Sequence, residues 1–290
     1  MKEIRQSKFT EERALFCVSG LRIIDSIFDK GESALKECRD IELGSCLLEW
    51  KYPLWYCRNI TVDDSTLFAG ARAAVWYTDN MRVRNTLVQA PKTFRRCRGL
   101  YLENVSFTNA LETLWNCGDI TLDNVSVTGG DYFAMNCSDM KINSLTLDGK
   151  YSFDGVKNIE IRNSRLITKD AFWNSENVTV YDSFISSEYL GWNSKNLTFI
   201  NCTIESLQGL CYIENLVMKN CRLLGTKLAF EYSTVDAEIT SRIDSVFNPA
   251  AGKISAPEIG VLTMQEDRID PEKTEIDCER VLRKTDEPEW

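Results

Sequence analysis

The residues most able to do chemistry in this chain are a few charged side chains set beside a row of tryptophans. Lys150, Lys169 and Glu188 each stand four residues before one member of a second row, Asp154, Trp173 and Trp192. Lysines on neighbouring repeats can act as the base and the counter-cation of a lyase, so Lys150, Asp154, Lys169 and Glu188 are the candidate catalytic residues. A two-carboxylate glycosidase needs its acids about 5 to 9.5 Å apart. Asp131 and Asp154 lie four strand positions apart on adjacent repeats, about 14 Å by strand rise, so that mechanism is disfavoured. The chain has 0 histidines, which removes Ser-His-Asp and Cys-His catalysis and the commonest zinc ligand together.

A strand pattern positions these side chains. An alternating apolar pair recurs every 19 to 21 residues, as in Leu21/Ile23, Ile41/Leu43, Ile60/Val62, Ile159/Ile161, Val178/Val180 and Leu197/Phe199. Alternation over so short a stretch reads as a strand with those residues inward. A shorter second strand follows, with Leu48, Leu67, Val88, Phe107, Leu166 and Ile185 inward. Asn or Asp stands between the two, for example Asp64, Asn85, Asn104, Asp182 and Asn201. These types tolerate a left-handed corner, and stacked amides can bond between repeats. A third segment closes each repeat. The expected fold is all-β: a right-handed, single-stranded parallel β-helix, a solenoid of about eleven three-strand rungs. Residues 1–17 are expected as an N-terminal cap, 18–232 as the β-helix, and 233–290 as irregular strands, cap and tail.

The third segment supplies the working face. Its first row is apolar (Leu54, Val75, Phe94, Leu114, Phe153, Phe172, Leu210 and Phe230), and the next position reads Trp55, Trp76, Arg95, Trp115, Met135, Asp154, Trp173, Trp192, Cys211 and Glu231. Charges are costly in a dry core, so the first row is expected inward and the second outward. Reversed parity at a corner would make the tryptophans core residues instead. If outward, Trp55, Trp76, Arg95, Trp115, Asp131, Trp173 and Trp192 form a ligand-binding strip. Aromatic rings stack on sugars, and the spacing between strands suits a chain of pyranoses. A second basic group, Arg72, Arg82, Arg84, Lys92, Arg95, Arg96 and Arg98, is a candidate for a uronate or phosphate.

Cys38, Cys57, Cys97, Cys117 and Cys137 share the first position of their repeats, where Ser, Thr, Val or Ile stand elsewhere. That interchange marks small core residues and not metal ligands. No acidic cluster suggests calcium, and no cofactor or metal is expected. The net charge of -9 argues against a nucleic-acid or anionic-membrane partner. The first residues hold no apolar signal core, so the expected compartment is cytoplasmic.

Several stretches, among them Phe9-Thr-Glu-Glu-Arg-Ala-Leu, Lys51-Tyr-Pro-Leu-Trp, Lys169-Asp-Ala-Phe-Trp, Glu188-Tyr-Leu-Gly-Trp and Phe230-Glu-Tyr-Ser, give the chain its family resemblance. It resembles the pectate-lyase-like right-handed β-helix superfamily and, more narrowly, a bacterial β-helix family of unknown function. The resemblance implies the fold and no particular activity. Its relatives tend to carry His after some of these tryptophans, where this chain has Tyr56, Asn174 and Asn193. Two functional readings stand side by side. One is recognition of an oligosaccharide or anionic sugar on the third-strand face, with lyase-type activity as its enzymatic form. The other is a non-catalytic scaffold that binds a protein or a second copy of the chain as a homo-oligomer.

Overall fold

A computed structural model describes residues 1–287. The chain is an all-β, right-handed parallel β-helix that divides into two units, residues 1–149 and 150–290.

In the first unit every rung begins with a strand whose inward residues stack in register. Leu21 pairs with Ile41, Ile41 with Ile60, Ile60 with Met81, Met81 with Leu100, Leu100 with Ile120 and Ile120 with Met140. All of these are parallel pairs, and all of these side chains are at most 5% exposed. In the second unit Ile159, Val178, Leu197, Leu216 and Val235 continue in the same way.

Two parts of the chain differ from expectation. Residues 1–17 are a rung and not a cap: Lys2–Arg5 pairs in parallel with Ser19–Ile24, and Lys8–Phe9 pairs with Ile27–Phe28. The rings of Phe9 and Phe28 stack 4.9 Å apart. Beyond residue 233 the strands are regular as well. Thr234–Ile239 pairs with Ala251–Thr263, which pairs with Thr274–Lys284, again in parallel. The solenoid therefore has about 15 turns and not eleven. Spacing hid the last ones: Val235 pairs with Gly252, 17 residues on, and Gly252 with Thr274, 22 residues on. The expected tail reaches residues 288–290, which lie outside the described residues.

Amide ladders hold the corners. Asn85 Nδ2 donates to Asp64 Oδ1 at 3.1 Å, Asn104 to Asn85 at 3.1 Å and Asn124 to Asn104 at 2.7 Å. A second ladder, which the alternation did not reveal, runs from Asn59 to Asp40 at 2.8 Å and from Asn80 to Asn59 at 3.2 Å. In the second unit Asn201 donates to Asp182 at 2.9 Å and Asn220 to Asn201 at 2.9 Å. All of these residues have φ between 48° and 56°, the left-handed region that Asn and Asp tolerate best among residues with a side chain. Asp40, Asp64 and Asp182 each receive the amide of the next rung. A carboxylate can only accept, so it suits the starting position of a run.

The cysteine column is a hydrogen-bonding slot. Cys38 Sγ donates to Leu15 O at 3.0 Å, Cys57 to Leu35 O at 3.0 Å and Cys137 to Leu114 O at 3.0 Å. Where the column changes type the bond persists: Thr78 Oγ1 donates to Leu54 O at 2.9 Å, Ser175 to Phe153 O at 2.9 Å and Ser194 to Phe172 O at 2.6 Å. A short side chain with one donor satisfies an inward carbonyl that would otherwise be buried unpaired. Burial pushes the Cys57 thiol up to about 12 and the Cys38 thiol to about 11, so neither is a nucleophile at neutral pH.

Candidate functional site

The third segment has the expected parity. Leu54, Val75, Phe94, Leu114, Phe153, Phe172, Leu210 and Phe230 are 0% exposed. Trp55, Trp76, Arg95, Trp115, Asp154, Trp173 and Trp192 are half-buried on the outer side; Cys211, in the same row, is the exception and is fully buried.

The outer row behaves differently in the two units. In the first unit it is closed on itself. Trp55 and Trp76 stack at 4.9 Å with 4° between their planes. The Arg95 guanidinium lies 4.7 Å from the Trp76 ring on one side and 4.6 Å from Trp115 on the other. Trp55, Trp76 and Trp115 each donate their indole N–H to a backbone carbonyl of the next rung: Ala73 at 2.6 Å, Lys92 at 2.9 Å and Tyr132 at 2.6 Å. Glu112 binds both Lys92 and Arg95 at 3.0 Å. Ring faces that cover one another along the stacking direction are not free to lie on a sugar. Asp131 is half-buried at the edge of this strip, and its carbonyl accepts from Glu112 N at 2.9 Å.

The basic group does not form one patch. Arg84 is bidentate on Asp63 at 2.8 and 2.6 Å, Arg96 lies over Tyr77 at 5.8 Å, and Arg82 lies over Tyr101 at 4.8 Å.

In the second unit the rings are tilted. Trp173 and Trp192 are 5.8 Å apart at 56°, and Trp192 and Tyr212 are 5.2 Å apart at 54°. Trp192 donates to Gln208 O at 3.0 Å, whereas the Trp173 indole N–H has no acceptor among the described residues. The carbonyl at the matching position of the next rung, Tyr189 O, instead accepts from Ser187 Oγ at 2.7 Å.

Here the second strand runs on to the corner, as Arg165–Ala171 and Phe184–Leu190, with Asp170 in register with Tyr189. Buried hydroxyls brace this bend: Thr168 Oγ1 donates to Asp170 O at 2.9 Å, Ser187 Oγ to Lys169 O at 3.2 Å and Ser206 Oγ to Glu188 O at 3.3 Å. Three hydroxyl residues at a spacing of 19 in an otherwise apolar column were the sequence signal for this corner.

The bend presents a carboxylate that the sequence did not single out. Asp170 is 5% exposed, and its Oδ1 is buried with no hydrogen-bond partner. Burial raises its pKa, the ammonium of Lys169 lowers it, and the charges of Glu188 and Asp154 raise it further. Four of the expected residues are thus placed by the same unit. Lys150 and Lys169 are exposed, with Lys169 Nζ 5.9 Å from the Tyr151 ring. Glu188 is half-buried and its charge raises the pKa of Tyr189. Burial raises Asp154 against the amide of Asn174, 3.5 Å away. Asp170 thus feels the charges of both Glu188 and Asp154, a link that strand rise alone did not predict. No group of three metal-ligating side chains occurs among the described residues, nor any helix long and apolar enough to cross a membrane.

Three solved structures are similar in fold to this chain. PfbA, a surface adhesin of Streptococcus pneumoniae, is 10% identical, with a TM-score of 0.43 over 89% of this chain and 83% of that one. The A-module of the mannuronan C-5 epimerase AlgE4 from Azotobacter vinelandii is 11% identical, with a TM-score of 0.33 over 97% and 86%. The pentapeptide repeat protein HetL from Nostoc is 11% identical, with a TM-score of 0.31 over 80% and 86%. A comparison with curated proteins gives no match. Residues 2–277 match the family described as Protein of unknown function (DUF3737), and the chain belongs to that family.

Proposed function

We propose that the second unit recognises a neutral, polyhydroxylated ligand, an oligosaccharide, on its third-strand face. The observation that carries this reading is Asp170 Oδ1, a buried acceptor with no donor. Leaving such a group unpaired costs about 1–3 kcal/mol, a cost that would be removed when the side chain turns this oxygen outward to a sugar hydroxyl. Trp173 adds an unengaged indole donor, and the rings of Trp173, Trp192 and Tyr212 are tilted and not stacked face to face. Sugar hydroxyls both donate and accept, so they complement a free carboxylate oxygen and a free N–H.

Charge supports a neutral sugar over an anionic one. Asp154, Asp170 and Glu188 outnumber Lys150 and Lys169 on this face, and an added carboxylate would meet repulsion. Recognition is favoured over lyase chemistry because a catalytic lysine base is normally tuned by burial, whereas both lysines are exposed. The Trp55–Trp76–Arg95–Trp115 stack of the first unit is better read as structural, which gives the scaffold reading its support there.

A glycan array with neutral and uronate-containing oligosaccharides tests the proposal. Neutral glycans are expected to bind wild type and to be lost in Asp170→Asn and Trp173→Phe, while Trp55→Phe binds normally. An array with no neutral glycan retained, or binding unchanged in both second-unit variants, sinks it.

A further inference from the structure

On the first strands of the first unit, the outward side chains form two neighbouring columns. One reads Glu3, Arg22, Glu42, Thr61, Arg82, Tyr101, and the other Ile24, Gly44, Asp63, Arg84. The charges at the start of the first column are paired: Arg22 bridges Glu3 at 3.8 Å and Glu42 at 3.4 Å. In the second, Arg84 occupies both oxygens of Asp63. Arg82 is left out. Its neighbours in register are Thr61 and Tyr101, neither of them acidic, and it makes no ion pair among the described residues. Its guanidinium is held over the Tyr101 ring at 4.8 Å.

Two small residues set diagonally, Gly44 and Thr61, leave a hollow of about 320 Å³ beside this arginine. A shallow depression lies on the other side, where Thr61, Arg82 and Tyr101 meet Asn80 and Gly99. Gly99 takes the corner position of the amide ladder, with φ +69° at the equivalent Gly20 and +68° here. A Cβ at Gly99 would meet Asn80 Oδ1 at 2.8 Å. The glycine therefore ends the ladder, and no side-chain amide among the described residues donates to that oxygen.

We infer that Arg82, Thr61 and Asn80 form a binding site for a small hydroxylated oxyanion, a sugar acid or a sugar phosphate. The guanidinium fork matches a carboxylate or phosphate through two parallel bonds. Contact with the Tyr101 ring restricts its rotamers, so less side-chain freedom remains to be lost on binding. Thr61 Oγ1 and Asn80 Oδ1 stand on adjacent rungs to engage hydroxyls. This site is built from first strands of the first unit, belongs to a different unit from the oligosaccharide face and does not depend on that reading.

Titration of ¹⁵N-labelled protein with glucuronate, glucose 6-phosphate, glucose and inorganic phosphate, followed by NMR, tests the inference. Saturable shifts at the Arg82 side chain and the Thr61 amide are expected with one or both acidic sugars and not with glucose. Arg82→Gln should weaken binding about tenfold or more. Thr61→Glu, which places an acid in register with Arg82, should do the same, with circular dichroism unchanged in both. No saturable shift with either acidic sugar overturns the inference, as does binding retained in both variants. Inorganic phosphate binding as tightly as the sugars also overturns it, because a bare oxyanion would then account for the contact. Asp170→Asn should leave these shifts intact, which separates this result from the fate of the oligosaccharide reading.

Discussion

Replacing Asp170 by asparagine should make the protein more stable at neutral pH while abolishing the proposed glycan binding. The wild-type carboxylate is 5% exposed, and Oδ1 has no donor. Burial and the charges of Glu188 and Asp154 raise its pKa, against the pull of Lys169. A raised acid binds its proton more tightly folded than unfolded. Its ionisation therefore removes stability as pH climbs through the raised folded value. Below the ordinary carboxylate range, near pH 3.9, the acid is neutral in both states and the penalty is absent. An unsatisfied buried group costs about 1–3 kcal/mol. The asparagine amide keeps part of that cost, so the net gain should be about 1 kcal/mol, or about 2–4 °C in melting temperature for a chain of this size. Thermal unfolding of both proteins by near-ultraviolet circular dichroism from pH 4 to 8 should give curves that converge at the acid end and separate as pH rises. A variant less stable than wild type at pH 7 would refute the reasoning, because the carboxylate would then belong to a satisfied network of the fold.

Three further outcomes are expected. Arg95→Ala should cost about 1–3 kcal/mol, since the guanidinium fills the gap between Trp76 and Trp115 and is held by Glu112; chemical denaturation followed by tryptophan fluorescence measures it. Asn85→Ala should destabilise by about 1–2 kcal/mol, because alanine is strained at φ 48° and breaks the ladder on both sides, whereas Asn85→Gly should recover the backbone share; urea melts of the pair check this. Native protein treated with a thiol reagent should modify Cys17 first and Cys278 more slowly, the exposed and half-buried thiols of the 11. The nine buried cysteines should react only on unfolding, counted by mass spectrometry.

The architecture was legible wherever spacing and alternation agreed. Leu21 through Met140 stack as the 19 to 21 residue period required, because an inward apolar residue has only one place to go in a coil of fixed circumference. The period broke where the coil changed size: the 17- and 22-residue rungs after Val235 read as irregular although their pairing is not. The first rung was obscured because only Ile4 of Lys2–Arg5 is apolar. The outward direction of the tryptophan row could be argued from the charges interspersed in it, but ring orientation could not. Whether an indole lies open or stacked depends on what stands one rung away, as Arg95 shows. Asp170 escaped notice for a related reason. It shares the inward phase of Leu166 and Thr168, and only the bend at the corner makes room for a carboxylate there.

The amide ladders also set how this protein ages. Each interior rung of a ladder passes a hydrogen from its own amide nitrogen to the oxygen of the rung before, so the chain of donors runs one way. Slow hydrolysis of Asn104 to aspartate would turn its donor into lone pairs facing Asn85 Oδ1, while Asn124 could still donate to it. Asp40, Asp64 and Asp182 hold the places where a carboxylate does no such damage. Spontaneous chemical wear at these corners would therefore split one continuous ladder into two shorter ones, each beginning with an acid, before any strand came apart.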